Sequence, residues 1–250
     1  MTPFADHFSR LAPTYATCRP GYPDQLFAYL ASLAPRRELA WDCAAGSGQA
    51  TLGLVNHFNQ VVATDLSRSM LDQAPAHRRL EYRVAPAQAS GLPAATVDLV
   101  TVAQALHWLD ISAFYAEVER VLVPGGILAV WTYGAQQLDE PGLERELARF
   151  YSQVVGPFWP PERRHVESGY RTLPFPLPDL QPPAFTMERH WTLPQLLGYV
   201  RTWSATDRFR EQVGHDPVSR LEEELAAHWG DPSVPRRVRW PLSLRLGRRW

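Results

Sequence analysis

WDCAAGSGQAT (41–51) decides the fold, because a short apolar segment passes there into a turn that contains two glycines. Outward from this turn, short apolar segments alternate with helix-like stretches. The predicted strands are LAWDC (39–43), VVATD (61–65), LEYRV (80–84), VDLVTVA (97–103) and GILAVWTY (126–133), and the predicted helices lie at about 47–58, 67–74 and 111–122. Strands separated by helix-length crossovers require a parallel sheet that is covered on both faces. Right-handed crossovers make such an α/β sheet doubly wound.

The segments on either side of this core are less regular. Residues 4–35 predict two short helices around CRPGYP (18–23), and a helix near 140–155 precedes a proline-rich segment that ends near 183. Because so many prolines exclude both a helix and a central strand, we expect an irregular cap over the sheet edge.

The C-terminal part returns to regular structure. FTMERHWTL (185–193) predicts a strand, followed by helices near 194–213 and 217–229. RVRWPLSLRLGRR alternates strictly, with Val238, Trp240, Leu242, Leu244 and Leu246 on one face, which is typical of a strand with one apolar side. Pro241 fits poorly in a central strand. We expect one domain with an N-terminal helical cap (1–35), a cofactor-binding core (36–133), a proline-rich cap (134–183) and a C-terminal part of the sheet (184–250).

Charge and composition favour a small-molecule partner in the cytoplasm. The formal net charge of −1 gives no global reason to bind nucleic acid or an anionic membrane. The two cysteines, Cys18 and Cys43, form no disulfide framework and no metal-ligand spacing. The N-terminus lacks a secretion signal and no apolar segment approaches membrane-spanning length. The sequence does not fix the oligomeric state.

The turn after the first strand predicts a nucleoside-type cofactor. Glycines let the backbone approach a ligand closely, and Asp65 ends the second strand 19 residues after Gly46. A carboxylate at that place can accept both hydroxyls of an adenosine ribose. A dinucleotide fingerprint would place its third glycine where Thr51 stands, and Asp42 fits better beside a cationic sulfonium than beside a pyrophosphate. We therefore expect S-adenosylmethionine, with an NAD-linked oxidoreductase as an alternative.

Several segments resemble the class I methyltransferases, specifically the type 11 group with trans-aconitate methyltransferase-like members. They are YATCRPGYP (15–23), WDCAAGSGQAT (41–51), VVATDLSRSML (61–71), VDLVTVAQALHWLD (97–110), RVLVPGGILAVW (120–131) and TWSA (202–205). The resemblance implies a Rossmann-like sheet, mostly parallel with an antiparallel C-terminal strand. It also implies methyl transfer from S-adenosylmethionine.

The resemblance further implies which residues contact the cofactor. The methionine part of the cofactor would be lined by Asp42, Ala44, Gly46 and Gly48, and the ribose would be bound by Asp65. The adenine would pack on Leu66 and Met70, and its edge would be approached by Ala87 and Gln88. The sulfonium would lie above Gln104 and Ala105, and the cofactor would be covered by Tyr15 and Arg19. Arg19 would face the carboxylate of the cofactor. Two positions depart from the family pattern: Ala44 replaces the first glycine of the turn, and Pro86 replaces a frequent Asp. These departures leave open a catalytically silent cofactor-binding module.

We expect the acceptor to be a small molecule. One candidate is a carboxylate, which would be O-methylated by in-line transfer. Trp108, Trp131, Tyr133 and Trp203 are the aromatic residues expected to touch it. QALHW follows the fourth strand, where base methyltransferases carry a different motif or a nucleophilic Cys, so nucleic acid is disfavoured. His107 is predicted to act on the acceptor, as a base or by orienting it. Alternatively, His107 caps the loop or pairs with Asp110.

Overall fold

The computed structural model describes residues 20–250. Its strands are β1 (Leu39–Cys43), β2 (Gln60–Asp65), β3 (Leu80–Val84), β4 (Val97–Ala103), β5 (Leu122–Thr132), β6 (Gln137–Leu138), β7 (Asp179–Leu180), β8 (Phe185–Trp191) and β9 (Arg236–Arg248). Its helices are α1 (Asp24–Leu33), α2 (Gln49–Leu54), α3 (Arg68–Leu71), α4 (Ile111–Val121), α5 (Pro141–Arg149), α6 (Arg163–Glu167), α7 (Leu193–Arg201), α8 (Ser204–Val213) and α9 (Val218–Trp229). No helix within this range has both the length and the apolar character to cross a membrane.

The sheet has the predicted doubly wound architecture. The strand order is β3-β2-β1-β4-β5-β9-β6, with β7 and β8 also paired to β9. The first five strands pair in parallel, and β9 is antiparallel to β5. The chain order reverses between β1 and β4, which is where ligands bind at the carboxyl ends of the strands in open α/β sheets.

Both faces of the sheet are covered, as the strand pattern requires. Along β5, Ile127, Ala129 and Trp131 pack with α1 and α2 on one face, whereas Leu128 and Val130 pack with α4 on the other. Consecutive residues of a strand point to opposite faces, so a strand buried on both faces reads as a continuous apolar segment.

The long strand β9 explains Pro241. One edge of β9 pairs with β5 from Ser243 onward and with β6 at Val238 and Arg239, while β8 and β7 occupy the other edge. Between β5 and β6, residues 133–136 leave the ladder and form a bulge. Pro241 lies opposite this gap, where no strand needs an N–H from it.

The less regular segments differ from the sequence predictions in detail. The helix predicted over 194–213 is two helices, α7 and α8, that are interrupted at Thr202 and Trp203. The helix predicted over 47–58 is only the six-residue α2. Among residues 156–183 of the proline-rich segment, α6 is the only α-helix and the two-residue β7 is the only strand.

Candidate active site

The turn between β1 and α2 is built from left-handed backbone. Ala44, Gly46 and Gly48 have φ angles of 55°, 56° and 80°. A residue with a Cβ at such an angle costs roughly 1 kcal/mol, so the alanine at position 44 is accommodated with strain. A Cβ on Gly48 would lie 3.0 Å from the Tyr82 hydroxyl. Gly48 therefore serves close packing and begins α2.

Asp42 is a fully buried carboxylate at the end of β1. It accepts hydrogen bonds from the Oγ1 atoms of Thr51, at 2.5 Å, and Thr101, at 2.8 Å. Burial raises the pKa of Asp42 from 3.8 to about 6, against the lowering effect of the two hydroxyls. Thr51 occupies the position of the missing third glycine. Thr101 lies on the neighbouring strand β4, outside the turn motif, so the motif did not predict its hydrogen bond to Asp42.

Asp65 ties the first two strand ends together. Its Oδ2 accepts the Gly46 N–H at 2.8 Å and its Oδ1 accepts the Ser67 N–H at 2.8 Å. Burial raises the pKa of Asp65, and the surrounding backbone N–H groups oppose that rise. Because a carboxylate oxygen can accept two hydrogen bonds, both oxygens keep capacity for the two hydroxyls of a ribose.

These groups line a pocket at the carboxyl ends of β1, β2 and β4. Eleven of the residues expected to contact cofactor or acceptor line it, namely Asp42, Ala44, Gly46, Asp65, Leu66, Met70, Ala87, Gln104, Ala105, Trp108 and Tyr133. The sequence did not single out the other lining residues, namely Tyr22, Ala45, Ser47, Gln49, Ala50, Ser67, Ala85, Ala103 and Leu109. Small residues dominate this second group, and small side chains carry little signal of their own.

The charge of the pocket fits a cationic cofactor. Among the described residues that line it, Asp42 and Asp65 are the only charged side chains. A sulfonium and an ammonium group are attracted to two carboxylates, whereas a pyrophosphate is repelled by them. The left-handed turn lets the backbone approach a ligand closely, and Leu66 and Met70 are apolar residues of the lining. The residues present therefore fit this cofactor and argue against NAD.

Other residues expected at the site lie elsewhere. Gln88 is exposed and is not part of the lining. Trp131 is fully buried against Tyr22 and Phe27, with ring centroids 5.4 and 6.4 Å away. Trp203 packs against Tyr199, with ring centroids 5.9 Å apart, and does not line the pocket. Tyr15 and Arg19 lie outside the described residues, as does Cys18.

Gln104 joins the ends of β4 and β5. Its Nε2 donates to the Tyr133 carbonyl at 3.0 Å, and its Oε1 accepts from the Thr132 hydroxyl. Its φ of 58° is also left-handed. Gln104 thus lines the pocket while its amide fixes the start of the bulge that follows β5.

His107 is not among the residues that line the pocket, and its action on the acceptor stays a prediction. Its Nδ1 shares a hydrogen bond of 2.9 Å with the Tyr170 hydroxyl. Burial, followed by the positive charge of Arg163, lowers the pKa of His107 from 6.5 to about 3. The alternative pairing with Asp110 is also not formed, because Asp110 accepts from the Ala113 N–H at the start of α4.

Comparison with known proteins agrees with this site. The family model described as a methyltransferase domain matches residues 41–130. A candidate methyltransferase of Dictyostelium discoideum is 30% identical over 227 residues, which cover 90% of this chain and 86% of that protein. An uncharacterized methyltransferase of Mycobacterium tuberculosis is 34% identical over 225 residues, covering 88% and 86%.

A solved structure resembles the whole described fold. It is a candidate type II methyltransferase from Anaeromyxobacter dehalogenans with 46% identity and a TM-score of 0.88, which covers 92% of this chain and 97% of the other. The sheet order, the acidic pocket and these similarities agree. The chain belongs to the class I S-adenosylmethionine-dependent methyltransferases.

Proposed function

We propose that this methyltransferase transfers its methyl group to the carboxylate of a small-molecule acceptor. The observation that carries the proposal is the position of His107, which bonds Tyr170 instead of lining the pocket. The acceptor side of the pocket then holds no imidazole among the described residues. An acceptor that is already ionised at neutral pH needs none.

The acceptor would lie at the aromatic end of the pocket. Tyr22, Trp108, Leu109 and Tyr133 line the side next to the ends of β4 and β5, away from the ribose site at Asp65. A concave surface of this kind suits a small, partly apolar molecule. S-adenosylmethionine supplies an electrophilic methyl group on its sulfonium, and the chain's task is to align an oxygen with it.

The remaining ionisable groups of the pocket are poor bases for the acceptor. The Asp42 oxygens already accept two threonine hydroxyls, and Asp65 holds two backbone N–H groups. A nearby cation also lowers the pKa of a carboxyl group, so the bound sulfonium weakens Asp42 further as a base. Within the described lining, the acceptor end therefore offers phenols and amines no carboxylate or imidazole as a base.

A positive charge close to His107 would favour an anionic acceptor if the acceptor extends beyond Trp108. The guanidinium of Arg163 lies 4.5 Å from the Trp159 ring, and its Nε donates to the Tyr151 hydroxyl at 2.8 Å. It forms no ion pair with a carboxylate within residues 20–250. Its field reaches His107, whose ring packs 4.7 Å from that of the pocket residue Trp108. The proline-rich segment 134–183, proposed here as the cap of the acceptor side, contributes this charge.

The test is a search for labelled methyl esters. Purified protein is incubated with methyl-labelled S-adenosylmethionine and pooled carboxylates, phenols or amines, and mass spectrometry reads the products. Mild alkali releases labelled methanol from esters but not from ethers or methylamines. Alkali-labile product from the carboxylate pool supports the proposal, and stable product confined to phenols or amines refutes it. The Asp65→Ala variant serves as a control for cofactor-dependent label.

A further inference from the structure

Tyr170 belongs to the proline-rich segment, yet its hydroxyl meets the loop that follows β4. The residue is fully buried and is not among the described residues that line the pocket. The loop that it meets, residues 104–109, does line the pocket, through Gln104, Ala105, Trp108 and Leu109. Tyr170 can therefore influence the pocket through residues that form its wall.

The Tyr170 hydroxyl is the common partner of several groups of the 104–109 loop. It lies 2.9 Å from Nδ1 of His107, and it bonds the backbone N–H groups of Leu106 and His107. It also bonds the Thr132 hydroxyl, which in turn donates to Oε1 of the pocket residue Gln104. Burial raises the pKa of Tyr170, so a neutral hydroxyl makes these contacts. One hydroxyl thus joins the middle of the loop to the side chain at its start.

The turn that carries Tyr170 is fixed on β9. Nη1 of Arg245, a residue of β9, donates to the carbonyl oxygens of Tyr170, at 3.1 Å, and Leu173, at 2.8 Å. A Cβ on Gly169 would lie 2.7 Å from the Ser243 Oγ, so the turn packs against the strand without a gap. Since β9 is paired with β5, the sheet holds the Tyr170 hydroxyl in place.

The backbone of Tyr170 has a conformation that a tyrosine rarely adopts. Its φ angle is 62°, in the left-handed region where a Cβ is unfavourable and glycine is not. Gln104, at the other end of the same chain of hydrogen bonds, has a φ angle of 58°. Strained residues of this kind persist where their surroundings enforce them, and they cluster at functional sites. The strain at both ends favours a function for the connection between them.

We infer that Tyr170 is a positioning residue of the cofactor pocket, whose hydroxyl holds the 104–109 loop and the Gln104 amide in the conformation that binds S-adenosylmethionine. It acts through Gln104 and Trp108, which line the pocket. A loop that is already ordered spares the ligand the entropic cost of ordering it. The inference depends on cofactor binding and is independent of which acceptor is methylated.

The test removes the hydroxyl alone, in Tyr170→Phe, and measures the Kd of S-adenosylhomocysteine by calorimetry. Tyr115→Phe is the matched control, because the Tyr115 hydroxyl donates to the Pro174 carbonyl of the same proline-rich segment, at 2.9 Å, instead of to the loop. Both variants lose a tyrosine hydroxyl from its hydrogen bond, so both should lower Tm. Only Tyr170→Phe should raise Kd, by about three- to tenfold, the range of one net hydrogen bond. Unchanged Kd in Tyr170→Phe, or an equal rise in Tyr115→Phe, would overturn the inference.

Hydrogen–deuterium exchange reports on the loop itself and needs no ligand. In the free protein, the peptide that contains residues 104–109 should exchange faster in Tyr170→Phe than in the wild type, because two of its N–H groups lose their acceptor. The same peptide should keep the wild-type rate in Tyr115→Phe. A wild-type rate in Tyr170→Phe would show that the hydroxyl does not hold the loop.

Thr132→Val keeps the inference open to refutation if Tyr170→Phe does not fold. Thr132 is fully buried, and valine retains its shape without the hydroxyl that joins Tyr170 to Gln104. Kd should again rise, and an unchanged Kd would contradict the role of this connection. Where both single variants fold, the double variant should raise Kd by less than the product of the two single effects, because both interrupt one chain of hydrogen bonds. Independent effects would refute the connection.

Discussion

Replacing Asp42 by Asn should stabilise the protein at neutral pH, although it damages the cofactor site. Burial raises the pKa of Asp42 from 3.8 to about 6. One pKa unit corresponds to about 1.4 kcal/mol, so the difference between folded and unfolded states amounts to about 3 kcal/mol. A carboxyl group whose pKa is raised on folding favours the folded state at low pH and loses that advantage as pH rises through the folded value. The cost therefore grows between about pH 4 and pH 6 and is complete at pH 7–8.

The measurement is the free energy of unfolding in urea from pH 4 to pH 8, without cofactor. The Asn side chain keeps the shape and cannot ionise, and the Thr51 and Thr101 hydroxyls can rotate to accept from its amide. The advantage of Asp42→Asn over wild type should increase by about 3 kcal/mol across this range. Asp72→Asn, at an exposed position, is the matched control for the loss of one carboxylate. A difference between Asp42→Asn and wild type that is independent of pH would refute the reasoning.

Three further predictions concern the same region. Asp65→Ala should weaken S-adenosylmethionine binding by roughly 1.5–3 kcal/mol in calorimetry, the usual value of a charged hydrogen bond, and unchanged affinity would contradict its ribose contact. Ala44→Gly should change the free energy of unfolding by between about 0 and +1 kcal/mol, because relief of the left-handed strain offsets the unfolded-state entropy of glycine. The control Ala50→Gly, in α2, should lower the free energy of unfolding by about 1 kcal/mol or more. Equal losses for the two variants in urea unfolding would exclude strain at position 44. His107→Phe should lower Tm, because the buried Tyr170 hydroxyl loses one of its hydrogen bonds. It should leave methyl-ester formation within about threefold of wild type, and loss of turnover at unchanged Tm would instead support a role of His107 at the acceptor.

The sheet was predictable because its strands are buried on both faces. Such strands appear in sequence as uninterrupted apolar segments bounded by turns, and β1, β3 and β4 have the predicted limits. The helices were less well bounded, since α2 stops after six residues where the apolar pattern continues. In α7 and α8, the same pattern runs through an interruption that depends on tertiary packing at Trp203.

The candidate site divides in the same way. Backbone positions such as Gly46 and Asp65 follow from the ends of parallel strands, which meet at one edge of the sheet. The directions of side chains that lie beyond the strand ends cannot be predicted in this way. Trp131 could have been assigned to the face of Ile127 and Ala129 from the two-residue period alone. His107 could not, because its direction depends on Tyr170, which comes from a segment without a regular pattern.

The polar groups that the fold buries point to one physical design. Asp42 is held ionisable inside an apolar sheet, and Ala44 and Gln104 are held in left-handed backbone. Each of these lowers the stability of the free protein, and ordinary core residues at the same places would not. Strain persists where the surrounding structure enforces it and a ligand uses it. A cationic cofactor beside Asp42 would offset the cost of burying that carboxylate, so the penalty lies where the expected ligand supplies the compensating charge.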